Sequence, residues 1–254
     1  ERRGRKKVDT DSAHLMKVSA IVAQYRRPEL LPNCLGALSS ALARHDHEII
    51  VVDNDGEPNG LVAGTCRRHS ARHIRPGGNI FLGAAINVAS DTATGEVLLI
   101  VHNDALVAKD FMGRMLTAAE THHALMVGGV VENRAGTALP CGVPFGGDVL
   151  DTRGAIPWAG SMDKSECVRA FCSCVEFFDT KLFCDLGGFD DRFLFDYFEM
   201  DFCLRAEKRG AIACIVPLPG TVHLAGGPRP AGANSFIVRD ALLLRRKWGL
   251  REST

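Results

Sequence analysis

The sequence predicts an α/β protein with a mixed, mostly parallel central sheet flanked by helices, and three observations carry that prediction. Short β-branched apolar runs alternate with amphipathic stretches through the first half, in the order β-α-β-α-β-α-β that a parallel sheet with crossover helices requires. The run from Val97 to Val101 is apolar at every position, which suits a strand buried on both faces. Polar clusters at Gln24 to Arg26, Asp53 to Asp55 and His102 to Asp104 each fall where such a run ends. In open α/β sheets ligands bind outside the carboxyl ends of the strands, so these ends mark the expected crevice.

Lys17 to Gln24, KVSAIVAQ, is the first strand. Tyr25, Arg26 and Arg27 turn the chain, and Pro28 opens a helix through ELLPNCLGALSSALA, where apolar residues recur at helical spacing. His47 to Asp53 is the second strand and ends in an acid, which can accept hydrogen bonds from a ribose or a base, or cap a helix over Leu61 to His69. A short third strand at Arg72 to Arg75 leads through PGGN to a small-residue helix from Phe81 to Ala93, with Asn87 polar inside it. The fourth strand is the run that stops at His102, Asn103 and Asp104. A carboxylate there can hold a metal or a phosphate-bound metal, or cap the helix expected from Asp110 to Thr121. A strand at Leu125 to Val131 follows.

Beyond it the character changes. Residues 132–166 are rich in Gly and Pro with little periodicity, the composition of a binding loop or lid, and Trp158 within them suits either stacking on a ligand or packing. Cys167 to Phe178 is a further strand, and Tyr197 to Arg209 a helix carrying Glu199 and Asp201 near its start. Positions two apart on a helix point in different directions, so one carboxylate can face the cleft as a base while the other braces the turn. The helix dipole alone also favours acids there. AIACIVP is a strand, GTVHLAGG places His223 in a Gly-bounded loop, and SFIVRDALLLRRKWGL is an amphipathic helix.

Composition narrows the function classes. Lys plus Arg equals Asp plus Glu at 30 each, so the chain as a whole has no attraction for nucleic acid or anionic membrane. Five of the first seven residues are basic, and residues 1–16 are expected to be a solvated tail, with a peripheral contact to anionic lipid or a partner as the alternative. Nine cysteines, an odd number scattered through a large domain, suggest reduced thiols in a cytoplasmic compartment, and Cys172 with Cys174 read as core. No apolar stretch reaches the length of a membrane span. Neither G-x-G-x-x-G nor G-x-x-x-x-G-K-[ST] is present, which argues against Rossmann-type hydride transfer and P-loop chemistry, and H-E-x-x-H is absent too.

Taken in order, these segments resemble family 2 of the inverting glycosyltransferases with the GT-A fold, including its rhamnosyltransferase-like members. VSAIVAQYRRPELLPNCLGAL is similar to the family's opening strand and helix, HEIIVVDND to its nucleotide-binding acid strand, and NIFLGAAINVA to its N-x-G-F-x-x-A-x-N helix. EVLLIVHNDALV resembles the strand bearing the D-x-D metal motif, LGGFDDRFLFDYFEMDFCLRAEKRGA the G-G-F-D…E-D-x-D-L-c-x-R block, and VHLAGG the late His. The resemblance runs from about Val18 to about His223.

It implies a single GT-A domain over residues 17–254, with a nucleotide-sugar-binding half at 17–131 and an acceptor and catalytic half at 132–254. It implies that Gln24, Tyr25, Arg26, Asp53, Asn79, Gly83, Asn87 and Asn103 surround the nucleotide of a UDP- or dTDP-sugar. Asp104, His223 and His102 would hold Mg²⁺ or Mn²⁺, Glu199 or Asp201 would be the base, and Trp158 would meet a glycan or other hydroxyl acceptor. Three departures stand out. His102 occupies the first position of D-x-D, Phe81 replaces the glycine of N-x-G-F, and Glu199 stands where Asp is common. The rival readings are a nucleotidyltransferase of similar fold, which would want a Gly-rich basic loop after the first strand, and a non-catalytic relative that binds nucleotide sugar or glycan.

Overall fold

The structure is a computed structural model and describes residues 16–56, 58–139, 141–145, 164–224 and 233–250. Strands β1 (Val18–Gln24), β2 (His47–Asp53), β3 (Arg72–Ile74) and β4 (Val97–Val101) alternate with helices α1 (Leu31–Leu42), α2 (Leu61–Arg68) and α3 (Leu82–Ser90). The chain continues through β5 (Ala105–Leu106), α4 (Phe111–His122), β6 (Met126–Glu132), β7 (Gly142–Val143), β8 (Glu166–Val168), β9 (Ala170–Phe171) and β10 (Val175–Asp179). Helices α5 (Thr180–Asp185) and α6 (Phe198–Glu207), strand β11 (Ala213–His223) and helix α7 (Ala233–Trp248) complete it.

The main sheet runs β3-β2-β1-β4-β10-β6-β11-β5, with β8 on β11. β1 pairs in parallel with both β2 and β4, and Gln24 stands level with Asp53. The apolar run at β4 is buried at all five positions, as its composition predicts. β10 enters antiparallel between β4 and β6, so the sheet is mixed. Apolar cores cover both faces. One joins α1, α2 and α4 to the sheet, the other α3, α5, α6 and Leu244 of α7. In the second, Phe178 lies 5.2–5.9 Å, ring to ring, from Phe171, Phe183, Phe189 and Phe202. Burying each such ring stabilises by roughly 1.5–3 kcal/mol, enough to fix α6 against the sheet.

The expected single strand over Cys167 to Phe178 is instead three short ones. The backbone breaks at Ser173, whose N–H donates to Glu176 Oε1 (2.9 Å) and whose hydroxyl donates to Gly129 O (2.6 Å), diverting β9 into a small sheet with β7. Pro28 opens a 3-10 turn, Pro28–Leu30, ahead of α1. His223 lies at the end of a long β11 and not in a loop, because the strand resumes past a register break between Pro217 and Val222 and pairs His223 with Ala105.

Candidate active site

The carboxyl ends of β1 and β4 open onto a cavity of about 440 Å³ lined by Tyr25, Arg26, Asn54, Asn79, Phe81, His102, Asn103, Leu194, Phe195 and Phe236, with Ala23 and Leu82. Of the residues expected around a nucleotide, Tyr25, Arg26, Asn79 and Asn103 are therefore in the wall. The other four stand behind it. Gln24, fully buried, donates from Nε2 to Arg26 O (2.5 Å) and accepts from Asn103 Nδ2 (2.7 Å), so it fixes the amide that does face the cavity. Asp53 accepts from the Gly56 N–H (3.0 Å) and lies 3.3 Å from His73 Nε2 and 3.4 Å from Arg75 Nε. Asn87 clamps Phe189 through both its backbone groups, at 2.8 and 2.9 Å. Gly83 packs against Phe189 and Phe198: a Cβ there would sit 3.4 Å from Phe198 Cγ, at ordinary contact distance.

Local backbone geometry aims the wall. Arg26 and Arg27 both have positive φ, 52° and 51°, and Arg26 folds back over the Tyr25 ring at 5.3 Å. Phe81, at φ 65° and ψ 169°, adopts a conformation that belongs almost solely to glycine. This is the position where the resembled motif carries glycine. The strain is held by Asn79 Oδ1, which accepts the Phe81 N–H (2.9 Å), and by Asn54 Nδ2, which donates to Phe81 O (3.3 Å). The ring meets Phe236 edge-on with centroids 5.6 Å apart. Asn54, Phe195 and Phe236 were not among the expected site residues. Asn54 adjoins the acid at the end of β2, a visible signal, whereas Phe195 and Phe236 are brought in only by tertiary packing.

At the end of β4, His102, Asp104 and His223 present ligand atoms that all lie within 4.8 Å of one another. His223 Nε2 is 3.1 Å from Asp104 Oδ1, and the two imidazoles meet edge-on at 5.8 Å. Burial, helped by His223, pushes His102 down to about 4, so its ring is neutral at physiological pH. Burial opposes ionisation of Asp104, but the hydrogen bond from His223 and the two nearby imidazoles outweigh it and hold the carboxyl below its ordinary value. The His102 and His223 ring nitrogens with the Asp104 carboxylate are a fitting donor set for a divalent cation. Two nitrogens with one oxygen suit Mn²⁺ better than Mg²⁺, which takes oxygen ligands by preference.

The two acidic candidates on α6 occupy different settings. The helix is buried from Phe198 to Leu204, so it shows no clean amphipathic stripe. Asp201 accepts from Arg205 Nε (2.9 Å) and Trp248 Nε1 (2.9 Å) and pairs with Lys247 (2.8 Å), tying α6 to α7. Glu199 is 3% exposed, and its Oε2 has no hydrogen-bond partner among the described residues. Burial, then the neighbouring Glu176 and Asp196 carboxyls, push Glu199 well above its ordinary value. Asp201 thus braces the helix, and Glu199 keeps free lone pairs and a high proton affinity. Trp158 lies outside the described residues.

Residues 19–140 match the sequence profile described as glycosyl transferase family 2. That part of the chain is similar to the family. The match covers the part of the chain that contains the cavity wall up to Asp104, and not α6 or His223. The chain is 34% identical over 126 residues to the succinoglycan biosynthesis protein ExoM of Rhizobium meliloti, an alignment covering 47% of this chain and 40% of ExoM. The chain accordingly spans less than half of that relative. Among solved structures, the fold is similar to a mannosyltransferase of Pyrobaculum calidifontis, PcManGT, in complex with GDP-Man and Mn²⁺. That similarity has a TM-score of 0.66 at 18% identity and covers 95% of this chain and 66% of the other. It is also similar to TarS residues 1–349 of S. aureus, with a TM-score of 0.57 at 15% identity over 92% of this chain and 72% of that one. At these identities the structures establish the GT-A fold alone. No helix among the described residues is long and apolar enough to cross a membrane.

Proposed function

We propose that the protein is an inverting, metal-dependent glycosyltransferase that moves a hexosyl or rhamnosyl group from a UDP- or dTDP-sugar to a hydroxyl of a glycan, within polysaccharide biosynthesis. The observation that carries this is the double position of His102: it lines the aromatic cavity and is also one of the three metal-type ligands with Asp104 and His223. A site built that way takes a planar group and a diphosphate at once. In support, Tyr25, Phe81, Phe195 and Phe236 offer ring faces for a base and sugar, and Arg26 offers a cation for phosphate.

His102, Asp104 and His223 would hold the cation, which when bound offsets the negative charge that gathers on the departing nucleoside diphosphate. Asn103, its amide oriented by Gln24, orients the donor in the wall. Glu199 takes the proton of the acceptor hydroxyl as that oxygen attacks the anomeric carbon, and burial beside Glu176 and Asp196 raises its proton affinity. One in-line displacement needs a single base and no covalent nucleophile.

The test is donor-dependent release of UDP or dTDP in Mn²⁺ by wild type, Asp104→Ala and Glu199→Ala. Release by wild type and its loss in both variants is the expected result. No release by wild type with any nucleotide sugar, GDP-sugars included, rejects the transferase reading.

A further inference from the structure

A second group of ligand-type atoms lies at the start of α6, apart from the His102 cluster. Cys172 Sγ, an Asp196 carboxylate oxygen and a Glu199 carboxylate oxygen all lie within 4.8 Å of one another. The three come from two pieces of backbone, the segment after β9 and the loop that runs into α6, each fixed. Cys172 follows β9, and its N–H donates to Cys141 O (2.9 Å). Asp196 sits in a loop whose N–H groups at Leu194, Phe195 and Asp196 all donate to the buried Asp240 Oδ2, at 2.9, 2.7 and 3.1 Å. Glu199 is in the first turn of α6. Its buried Oε2 has no hydrogen-bond partner among the described residues, an arrangement that is ordinarily destabilising and more so for a charged group. Cys172 and Asp196 are half-buried, which leaves the group a side open to solvent.

We infer that Cys172, Asp196 and Glu199 form a second cation site, selective for a thiophilic divalent ion of the Zn²⁺ type, and that filling it shuts off Glu199 as the base. A thiolate with two carboxylates is a zinc-type donor set, and three protein ligands leave one position for water. Mg²⁺ and Mn²⁺ prefer oxygen to sulfur, so the thiolate at Cys172 discriminates against the hard ions. Burial, followed by the Glu199 and Asp196 carboxyls, raises the Cys172 thiol well above its usual value, and a bound dication removes that mutual repulsion. Binding releases the thiol proton, and any proton on Glu199, to the buffer. The occupied carboxylate, its charge held by the ion, is then too weak a base to take the proton of an acceptor hydroxyl.

The binding claim stands independently of the transferase reading; the shut-off rests on it. The test titrates the full chain with Co²⁺, a spectroscopic substitute for Zn²⁺, and follows the near-ultraviolet thiolate-to-cobalt charge-transfer band. The band is expected to saturate at one ion per chain, to persist in His102→Ala, which damages the other cluster, and to persist in Cys167→Ala, which removes an exposed thiol lying 3.4 Å from His122. Cys172→Ala should abolish it. Asp196→Asn, which leaves the thiol in place, should weaken Co²⁺ binding at least tenfold. No band in wild type, a band surviving in Cys172→Ala, or one lost in Cys167→Ala overturns the site. In Mn²⁺ buffer, added Zn²⁺ should inhibit wild type at least tenfold more potently than Cys172→Ala, each measured against its own uninhibited rate. Equal potency overturns the shut-off. Absence of transfer before any Zn²⁺ is added rejects the transferase reading, while the cobalt band still decides the site.

Discussion

His223 Nε2 lies 3.1 Å from Asp104 Oδ1 although 119 residues separate them in the chain. The β5–β11 pairing brings them together, setting His223 beside Ala105. The cluster therefore should lose Mn²⁺ affinity by on the order of tenfold or more in either Asp104→Ala or His223→Ala, as read by calorimetry or electron paramagnetic resonance. His102→Asp, which exchanges a nitrogen donor for an oxygen, should move the preference toward Mg²⁺. An unchanged Mn²⁺-to-Mg²⁺ ratio in that variant would remove His102 from the ligand set.

Glu199 and Asp201 should separate cleanly when activity and stability are measured side by side. Glu199→Gln is expected to abolish transfer while leaving the melting temperature unchanged or higher, since it puts a neutral group where a carboxylate is crowded by Glu176 and Asp196. Asp201→Ala leaves Arg205 and Lys247 without their shared carboxylate and should cost about 3–5 kcal/mol, a fall of roughly 10 °C. If Glu199→Gln retains full turnover while a folded Asp201 variant has none, the base assignment is reversed.

Glu176 gives the molecule a signed pH dependence. Burial raises its carboxyl to about 8, so the folded state keeps a proton that the unfolded chain releases near its ordinary value of about 4.3. Its contribution to stability is thus full at acid pH, declines as pH rises toward about 8, and then levels. Glu176→Gln should remove this decline and raise the melting temperature by roughly 5 °C or more at pH 8, with little change at pH 4.

Phe81 exchanges backbone comfort for a wall. Phe81→Gly should relieve about 1–3 kcal/mol of strain at φ 65°. The melting temperature is expected to hold or rise. Donor KM should rise about tenfold, the scale of one lost aromatic contact. A KM unchanged in Phe81→Gly would place the donor elsewhere.

Much of the first half was legible in the sequence because its signals are local. The β2 and β4 bounds follow from apolar runs, and the polar groups at strand ends follow from topology, so Tyr25, Arg26, Asn103 and His102 stand beside one another where β1 and β4 end, in the cavity wall. What was not legible depends on contacts distant in sequence. Nothing near Asp53 signals that Gly56, His73 and Arg75 surround it, or near Asn87 that it will clamp Phe189. Phe236 reaches the cavity from the last helix. Asp201 and Glu199 look alike in a window of ten residues, and only Lys247, Trp248 and the buried setting tell them apart.

Helix α7 has a consequence for the order in which the molecule is made. Asp240 gathers three N–H groups of the loop before α6, Lys247 links Asp190 to Asp201, Trp248 caps the latter, and Phe236 closes the cavity. A nascent chain assembles from its N-terminus, so the parallel half-sheet can form on the ribosome while these fastenings are still unsynthesised. The contacts that fasten the carboxylate helix and complete the cavity wall can therefore form only once α7 has emerged.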